Sequence, residues 1–403
     1  MSGGPLEGVR IIDLTSVVVG PLATQILADH GADVIKVEAK SGDLVRMMNG
    51  PSVTPGMGAK FLHLNRNKRS IVLDLKNPAG HAALMKLLAR ADVMLWNNRP
   101  ASMARLKLAY DDVRAANPKI IYCGLFGFGQ DGRYRDRPAY DTIIQGAGGM
   151  AALHHIVTGA PRYVPMVVAD KVVGLIAVQM IAMALYGRAR TGSGCSIEIP
   201  MFENLVKFVL EEHMYLRTFE PPLGPTGDPR ILDVHNSPIP TKDGYICISA
   251  NTDDQAFAFF DAIGRPELKT DPRFASVPAR FANVKEYFQV RRDALQAKTT
   301  AEWLEAFDRL DVPAMAYNTL DSLLEDPHLK EVGFFEMKEH PTEGRTRSMR
   351  LPNRWSSGAR REWKPAPKLG QHSVEILREA GYDAAAIDAM IASGATLDGR
   401  LKR

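Results

Sequence analysis

VRIIDLTSVVVGPLATQILADHGADVIKVE, residues 9–38, is the stretch whose reading decides the fold. Its first apolar run stops at the turn residues Thr15 and Ser16. A helical pattern, PLATQILADHG, follows with Gly31 as its C-terminal stop, and ADVIKVE closes the unit as a second strand. The alternation continues outward. RSIVLDLK, DVMLWNN and KIIYCGLFGFG read as strands, AGHAALMKLLARA as a helix between the first two, and RTGSGCSIEIP as a Gly-Ser turn into one more strand. Strands joined by helices of this length imply an α/β fold, a Rossmann-like, mostly parallel sheet covered on both faces.

The composition changes near residue 217, where TFEPPLGPTGDPR is rich in proline and glycine and reads as a linker. The organisation expected is therefore a large domain over 1–216 and a smaller α+β domain over 225–330. A connection with two C-terminal helices, residues 331–403, returns to the large domain. The smaller domain opens on IPTKDGYICISA, a hairpin turning at Lys242-Asp243-Gly244. Residues 331–365 read as irregular, and Gly381 separates the two terminal helices.

Bulk chemistry excludes several classes. The net charge of +4 over 403 residues argues against a dedicated nucleic-acid binder. Cys123, Cys195 and Cys247 lie far apart in strand-like runs, without metal-ligand spacing or a disulfide framework. A reducing cytoplasm fits them, and MSGGPLEGVR shows no export signal. From Val172 to Gly187 no residue is charged, but this run is shorter than a membrane span and reads as a buried core helix. No zinc motif, nucleophile elbow or P-loop is present, so no metal site is expected. GFGQDG (127–132) spells a dinucleotide fingerprint, yet RYRDRPAYD follows where a helix must open. Glu38 closes the second strand where a ribose-binding acid belongs, but TSVVVGP lacks the paired glycines. NAD is accordingly a weak alternative.

Two features remain. Basic residues gather in the first 140 positions: Lys36, Lys40, Arg46, Arg66, Lys68, Arg69, Arg99, Arg105, Lys107, Arg133, Arg135 and Arg137. Singly each reads as a surface charge; several at strand ends suggest a rim for a phosphate-rich ligand. The second is Asp170 in VVADKVVGLIAVQ (167–179), at the mouth of the uncharged run. By itself it reads as an N-cap.

Over essentially its whole length the chain resembles the class III CoA-transferases, of formyl-CoA transferase or carnitine CoA-transferase type. The resemblance is carried by the opening stretch and by GDLVR, LNRNKRSIVLDLK, ADVMLWNNRP and NPKIIYCGLFGFGQDG. It continues through YDTIIQGAGGM, VVADKVVGLIAVQMIAMALYGRARTGSG, TKDGYICIS, DPRF and LGQHSVEILREAGY. It implies a homodimer of interlocked rings, with CoA and acyl-CoA as substrates rather than a tightly bound cofactor. Small carboxylic acids are the other substrates, and neither nucleic acid nor membrane is a partner. Asp170 then falls where the family carries its catalytic carboxylate, which forms an aspartyl anhydride and an aspartyl-CoA thioester in turn. An acid held ionised by a helix dipole suits that nucleophilic role.

The resemblance also implies CoA contacts at Val17, Val18, Asn97, Asn98, Arg105 and Arg137. Lys36 reads as structural, and QGAGGM (145–150) as a possible source of oxyanion donors. Ala39 replaces an arginine that commonly touches the nucleotide, leaving Lys40 to substitute. Val18 replaces a glutamine linked to the small-acid site, and PTGDPRILDVHNSP replaces a glycine-rich lid. These three departures argue against formyl-CoA and oxalate, while the resemblance implies succinyl-CoA or another dicarboxylyl-CoA as donor, such donors being frequent in the family. Arg46 is the candidate for a distal substrate carboxylate and Tyr140 for a hydrogen bond to substrate. The alternative of the same fold is an α-methylacyl-CoA racemase, whose GHD triplet supplies a histidine. Here the triplet is Ala139-Tyr140-Asp141, and tyrosine is a poor proton relay at neutral pH. A CoA-binding protein without turnover would require a lost nucleophile, whereas Asp170 is present.

Overall fold

The computed structural model describes residues 3–48, 50–357 and 362–400. Of the C-terminal segment, residues 358–361 and 401–403 lie outside the described residues. The chain divides into two units, one of residues 1–149, 163–208 and 333–403, the other of residues 150–162 and 209–332.

The larger unit is built on six strands: β1 (Arg10–Leu14), β2 (Asp33–Glu38), β3 (Lys68–Val72), β4 (Val93–Trp96), β5 (Ile121–Phe126) and β6 (Cys195–Pro200). Their order is β3-β2-β1-β4-β5-β6, with every pairing parallel. Ile12 stands in register with Ile35 on one side and Met94 on the other. Burial on both faces explains the near-continuous apolar runs, and Ile11, Ile12, Val34, Ile35, Val93 and Met94 are all fully buried. One face is covered by the helix Pro78–Leu88 and by the terminal helices Ser373–Glu379 and Ala384–Ala392, through Leu84, Leu88, Ile376, Leu377 and Ile387. The expected parallel α/β sheet is thus present, strand by strand.

The helix Val19–Asp29 packs along the long helix Val168–Thr191. They meet at Gly174, where a Cβ would stand 2.8 Å from the Val19 carbonyl oxygen. The long helix corrects an expectation. Its inward residues form one narrow stripe of mostly small side chains, Ala169, Asp170, Val173, Gly174, Ala177 and Ile181. Leu175, Met183 and Tyr186 are more than half exposed, so the uncharged run is not buried in the single chain. Among the described residues it is the one helix long and apolar enough to cross a membrane.

The smaller unit carries the antiparallel strands β7 (Ile239–Pro240), β8 (Tyr245–Ile248) and β9 (Ala314–Ala316), in that order. β7 and β8 form the hairpin that Lys242-Asp243-Gly244 announces. Its core is aromatic: Phe259, Phe260, Phe274, Tyr287, Trp303 and Phe307.

A second correction lies beyond it. The segment read as irregular contains β10 (Phe335–His340) and β11 (Gly344–Met349), an antiparallel hairpin in the larger unit. Most of its residues are charged or small and half of them are exposed, so neither composition nor alternation marks them as strands.

Gly174→Ala is expected to push the two helices apart at their closest approach, lowering stability by about 1–3 kcal/mol. A lower urea midpoint would register it; an unchanged midpoint would mean the crossing yields freely.

Candidate active site

In this strand order the direction of winding reverses between β1 and β4, and the loops leaving their carboxyl ends diverge to form a crevice. The loop after β1 is Thr15–Val18. A buried polar network holds it from below. Asp13 accepts hydrogen bonds from the Thr15 backbone (2.9 Å), the Thr24 hydroxyl (2.7 Å) and Lys68 Nζ (3.1 Å). Lys36 Nζ donates to the Thr15 carbonyl and to Asp43 Oδ2, both at 2.8 Å. The other Asp43 oxygen accepts from the Val17 N–H at 3.0 Å. Burial would raise Asp13, but Lys68 and Lys36 outweigh it and bring the carboxyl down to about 2. Burial lowers Lys68 to about 8 against the pull of Asp13.

Val17, held in this way, adopts φ 71°. A β-branched side chain resists the left-handed region, and such strain costs about 1–3 kcal/mol, sustained only where the surroundings over-determine the backbone. From β4, Asn97 completes the clamp: its Oδ1 accepts the Ser16 N–H at 3.0 Å and its Nδ2 donates to the Ser16 carbonyl at 2.9 Å.

Asp170 enters from the start of the long helix. It is the third helical residue, not the N-cap, which is Val167. The capping carboxylate comes instead from Asp141, which accepts the Ala169 N–H at 2.8 Å and the Asp170 N–H at 3.2 Å. Gln145 holds Asp141 in turn, donating to it at 2.6 Å and to the Met166 carbonyl at 3.0 Å. Asp170 itself is only 8% exposed. Burial first, then the charge of Asp141, push its carboxyl up to about 7, while Lys60 pulls the other way. The helix dipole therefore does not keep this acid fully ionised at neutral pH, as the N-cap reading expected.

A cleft of about 330 Å³ joins these parts. Val17, Val18, Asn97, Asn98, Arg137, Tyr140 and Asp170 all line it, with Ser16, Arg99 and Arg135. Lys40 lies apart, in a depression of about 460 Å³ over the ends of β2 and β3 with Ser41, Lys76 and Leu106. Arg105 ends the helix Pro100–Arg105 and is not among the cleft residues; its guanidinium donates to the Ser102 hydroxyl. A larger, mainly apolar chamber of about 840 Å³ shares Val18 with the cleft and is lined by Lys60, His63, Asp141, Gln145, Lys171 and Arg350.

Three expectations require correction. Arg46 is buried, bonded through two nitrogens to Glu38 at 2.8 Å each and stacked 3.7 Å over Phe61, so it holds no substrate carboxylate. The same pair occupies Glu38 and removes the ribose contact that NAD needs. Asn97 binds the Ser16 backbone and is a positioning residue. The basic rim is also smaller than the sequence suggests, because Lys36, Arg66, Lys68 and Arg69 are committed to Asp43, Asp29, Asp13 and Asp33. Of QGAGGM, Gln145 acts through Asp141. Asp141 and Asp43 were missed as site residues; only the AYD triplet hinted at the first. The GFGQDG turn opens no helix, and its Gly129 N–H is bonded to Glu203 at 2.9 Å.

The sequence pattern of CoA-transferase family III matches residues 6–373. The succinate–glutarate CoA-transferase of Agrobacterium fabrum is 34% identical over 387 residues, covering 93% of this chain and 95% of that protein. The formyl-CoA:oxalate CoA-transferase of a Bradyrhizobium species is 33% identical over 402 residues, covering 93% of each. The crystal structure of a CAIB/BAIF family protein from Brucella suis superimposes with a TM-score of 0.79 at 30% identity, over 94% of this chain and all of that one.

The folded chain keeps a proton on Asp170 up to about pH 7, whereas the unfolded chain releases it near 3.8. Stability should therefore fall as pH rises from about 4 to 7, by at most ~4 kcal/mol. Asp170→Asn should remove that decline and exceed the parent's stability at pH 8, by urea denaturation. Parallel pH curves for the two proteins would show the carboxyl to be unshifted.

Proposed function

The chain belongs to CoA-transferase family III, and from that premise we propose that Asp170 carries CoA from an acyl-CoA donor to a carboxylic acid through covalent aspartyl intermediates. The observation that carries this reading is a buried carboxylate opening on the switch-point cleft, beside a strained loop and the cations Arg99, Arg135 and Arg137. The Asp170 carboxylate attacks the donor thioester carbonyl. The C–S bond breaks, leaving a mixed anhydride and CoA thiolate. The thiolate attacks Cγ of Asp170 and expels the donor acid, which gives the aspartyl-CoA thioester. The acceptor carboxylate then attacks Cγ to form the second anhydride and free the thiolate. Attack of the thiolate on the acceptor acyl carbon yields the new thioester and restores Asp170. Charge balances at each step without a general base.

The raised affinity of Asp170 for protons suits it to this work, since a more basic carboxylate is a stronger nucleophile once ionised. The leading N–H groups of the helix Val19–Asp29, which no helix can satisfy internally, border the same cleft and suit developing oxyanions. Arg99, Arg135 and Arg137 suit the CoA phosphates. The chamber beyond Val18 suits the acid, with an apolar body against Leu22, Leu64 and Met166 and its charge towards Lys60 or Arg350. A dicarboxylic donor, succinyl-CoA by preference, accords with those cations and with the Agrobacterium relative. Tyr140, exposed in the cleft where the racemase reading needs a proton relay, favours transfer.

We also propose a homodimer in which a second copy covers Leu175, Met183, Tyr186 and Phe208, all more than half exposed here. Met183→Glu should weaken that association, seen as a lower mass by light scattering; a monomeric parent would contradict it.

Intact mass spectrometry after incubation with succinyl-CoA should show an acyl or CoA adduct on Asp170, absent in Asp170→Ala. Turnover retained by that variant would overturn the assignment. Below pH 7, kcat/KM should fall about tenfold per pH unit as Asp170 takes up its proton; a flat profile from pH 5 to 8 would contradict the raised value.

A further inference from the structure

The smaller unit contains a pocket of about 290 Å³ that the transfer chemistry does not use. Three arginines line it: Arg230, Arg280 and Arg291. Arg280 is neutralised by Asp253 at 2.8 Å and donates to the Phe274 carbonyl at 2.8 Å. Among the described residues the other two have no carboxylate partner, and the buried Nε of each has no hydrogen-bond partner. Arg291 is 6% exposed; its guanidinium donates to the Ile248 carbonyl and lies 5.3 Å from the Phe288 ring and 5.7 Å from that of Tyr287. Arg230 lies 5.6 Å from the ring of Phe281.

A buried guanidinium with an unused donor and no counter-charge is costly in isolation. Burial pushes Arg291 down from its ordinary value, with only the Tyr287 hydroxyl opposing. The surroundings indicate what relieves it. Asn236, Ser249 and Asn251 supply polar groups around the same space, and Phe281, Tyr287 and Phe288 supply an apolar wall. We propose that this pocket binds a small organic carboxylate, its oxygens paired with the guanidinium groups of Arg230 and Arg291 and its hydrocarbon part against the rings. A guanidinium accepts a carboxylate through parallel charge-assisted bonds, and the wall prefers an organic acid to a bare inorganic ion.

Glutarate and inorganic phosphate serve as the probes, and hydrogen exchange on the full chain reads the site directly. Glutarate should slow exchange at residues 246–251 and 277–291. In Arg291→Gln the concentration for half-protection should rise at least about tenfold. Arg230→Gln, at a half-buried position, should shift it the same way in a chain that still folds. Asp170→Ala should leave this protection unchanged, so the result is independent of the transferase reading. Absence of protection by glutarate, protection by phosphate alone, or protection in both arginine variants at the parent's concentration would overturn the proposal.

Discussion

Lys36 and its carboxylate partners are the constraint on which the larger unit depends. Asp13, Lys36, Asp43 and Lys68 have fully or almost fully buried side chains, and together their charges cancel. Each alone would be expensive away from water; as a set they satisfy one another and the Thr15, Val17 and Pro21 backbone. The loop between the first strand and helix thereby becomes fixed while carrying no regular hydrogen bonding of its own. The unfavourable φ of Val17 persists because Asp43 holds its N–H and Asn97 holds the residue before it. Glu38 and Arg46 extend the same arrangement to the next loop, where Glu38 also accepts the Asp43 N–H.

Opposite this loop, Asp170 and Asp141 share one helix terminus with different tasks. Asp141 takes the N–H groups of Ala169 and Asp170, so the terminus is satisfied before Asp170's side chain is considered. That carboxyl is left with burial and a neighbouring negative charge, both raising its proton affinity. The folded chain thus retains an unfavourable group where the proposed transfer requires one. Had Asp170 been the N-cap, its oxygens would have been tied to the backbone and poorly placed to attack a carbonyl.

Regular elements and the proposed nucleophile Asp170 stand out in the sequence because they rest on local patterns. Apolar runs marked the six strands, and Asp170 stood out against sixteen uncharged residues. Charges were less readable. The string Arg66-Asn67-Lys68-Arg69 looks like a surface cluster, yet its cations go separately to Asp29, Asp13 and Asp33, partners 36 or more residues away. Arg46 was misplaced for the same reason: nothing local shows that Glu38 lies beside it. The long helix misled in the opposite sense. Its composition is apolar all round, but its buried residues form one narrow stripe, mostly of small side chains. The arginine pocket joins residues about sixty positions apart and has no linear motif.

Gly174 lies one helical turn beyond Asp170 and rests against the Val19 carbonyl, the second residue past strained Val17. The two sides of the cleft are therefore fastened to each other directly behind the Asp170 carboxylate. An error in seating one is inherited by the other, so their separation is preserved even when both shift. Such a joint has almost no play. The give required to admit a bulky thioester must come from the outer lips of the cleft rather than from its root.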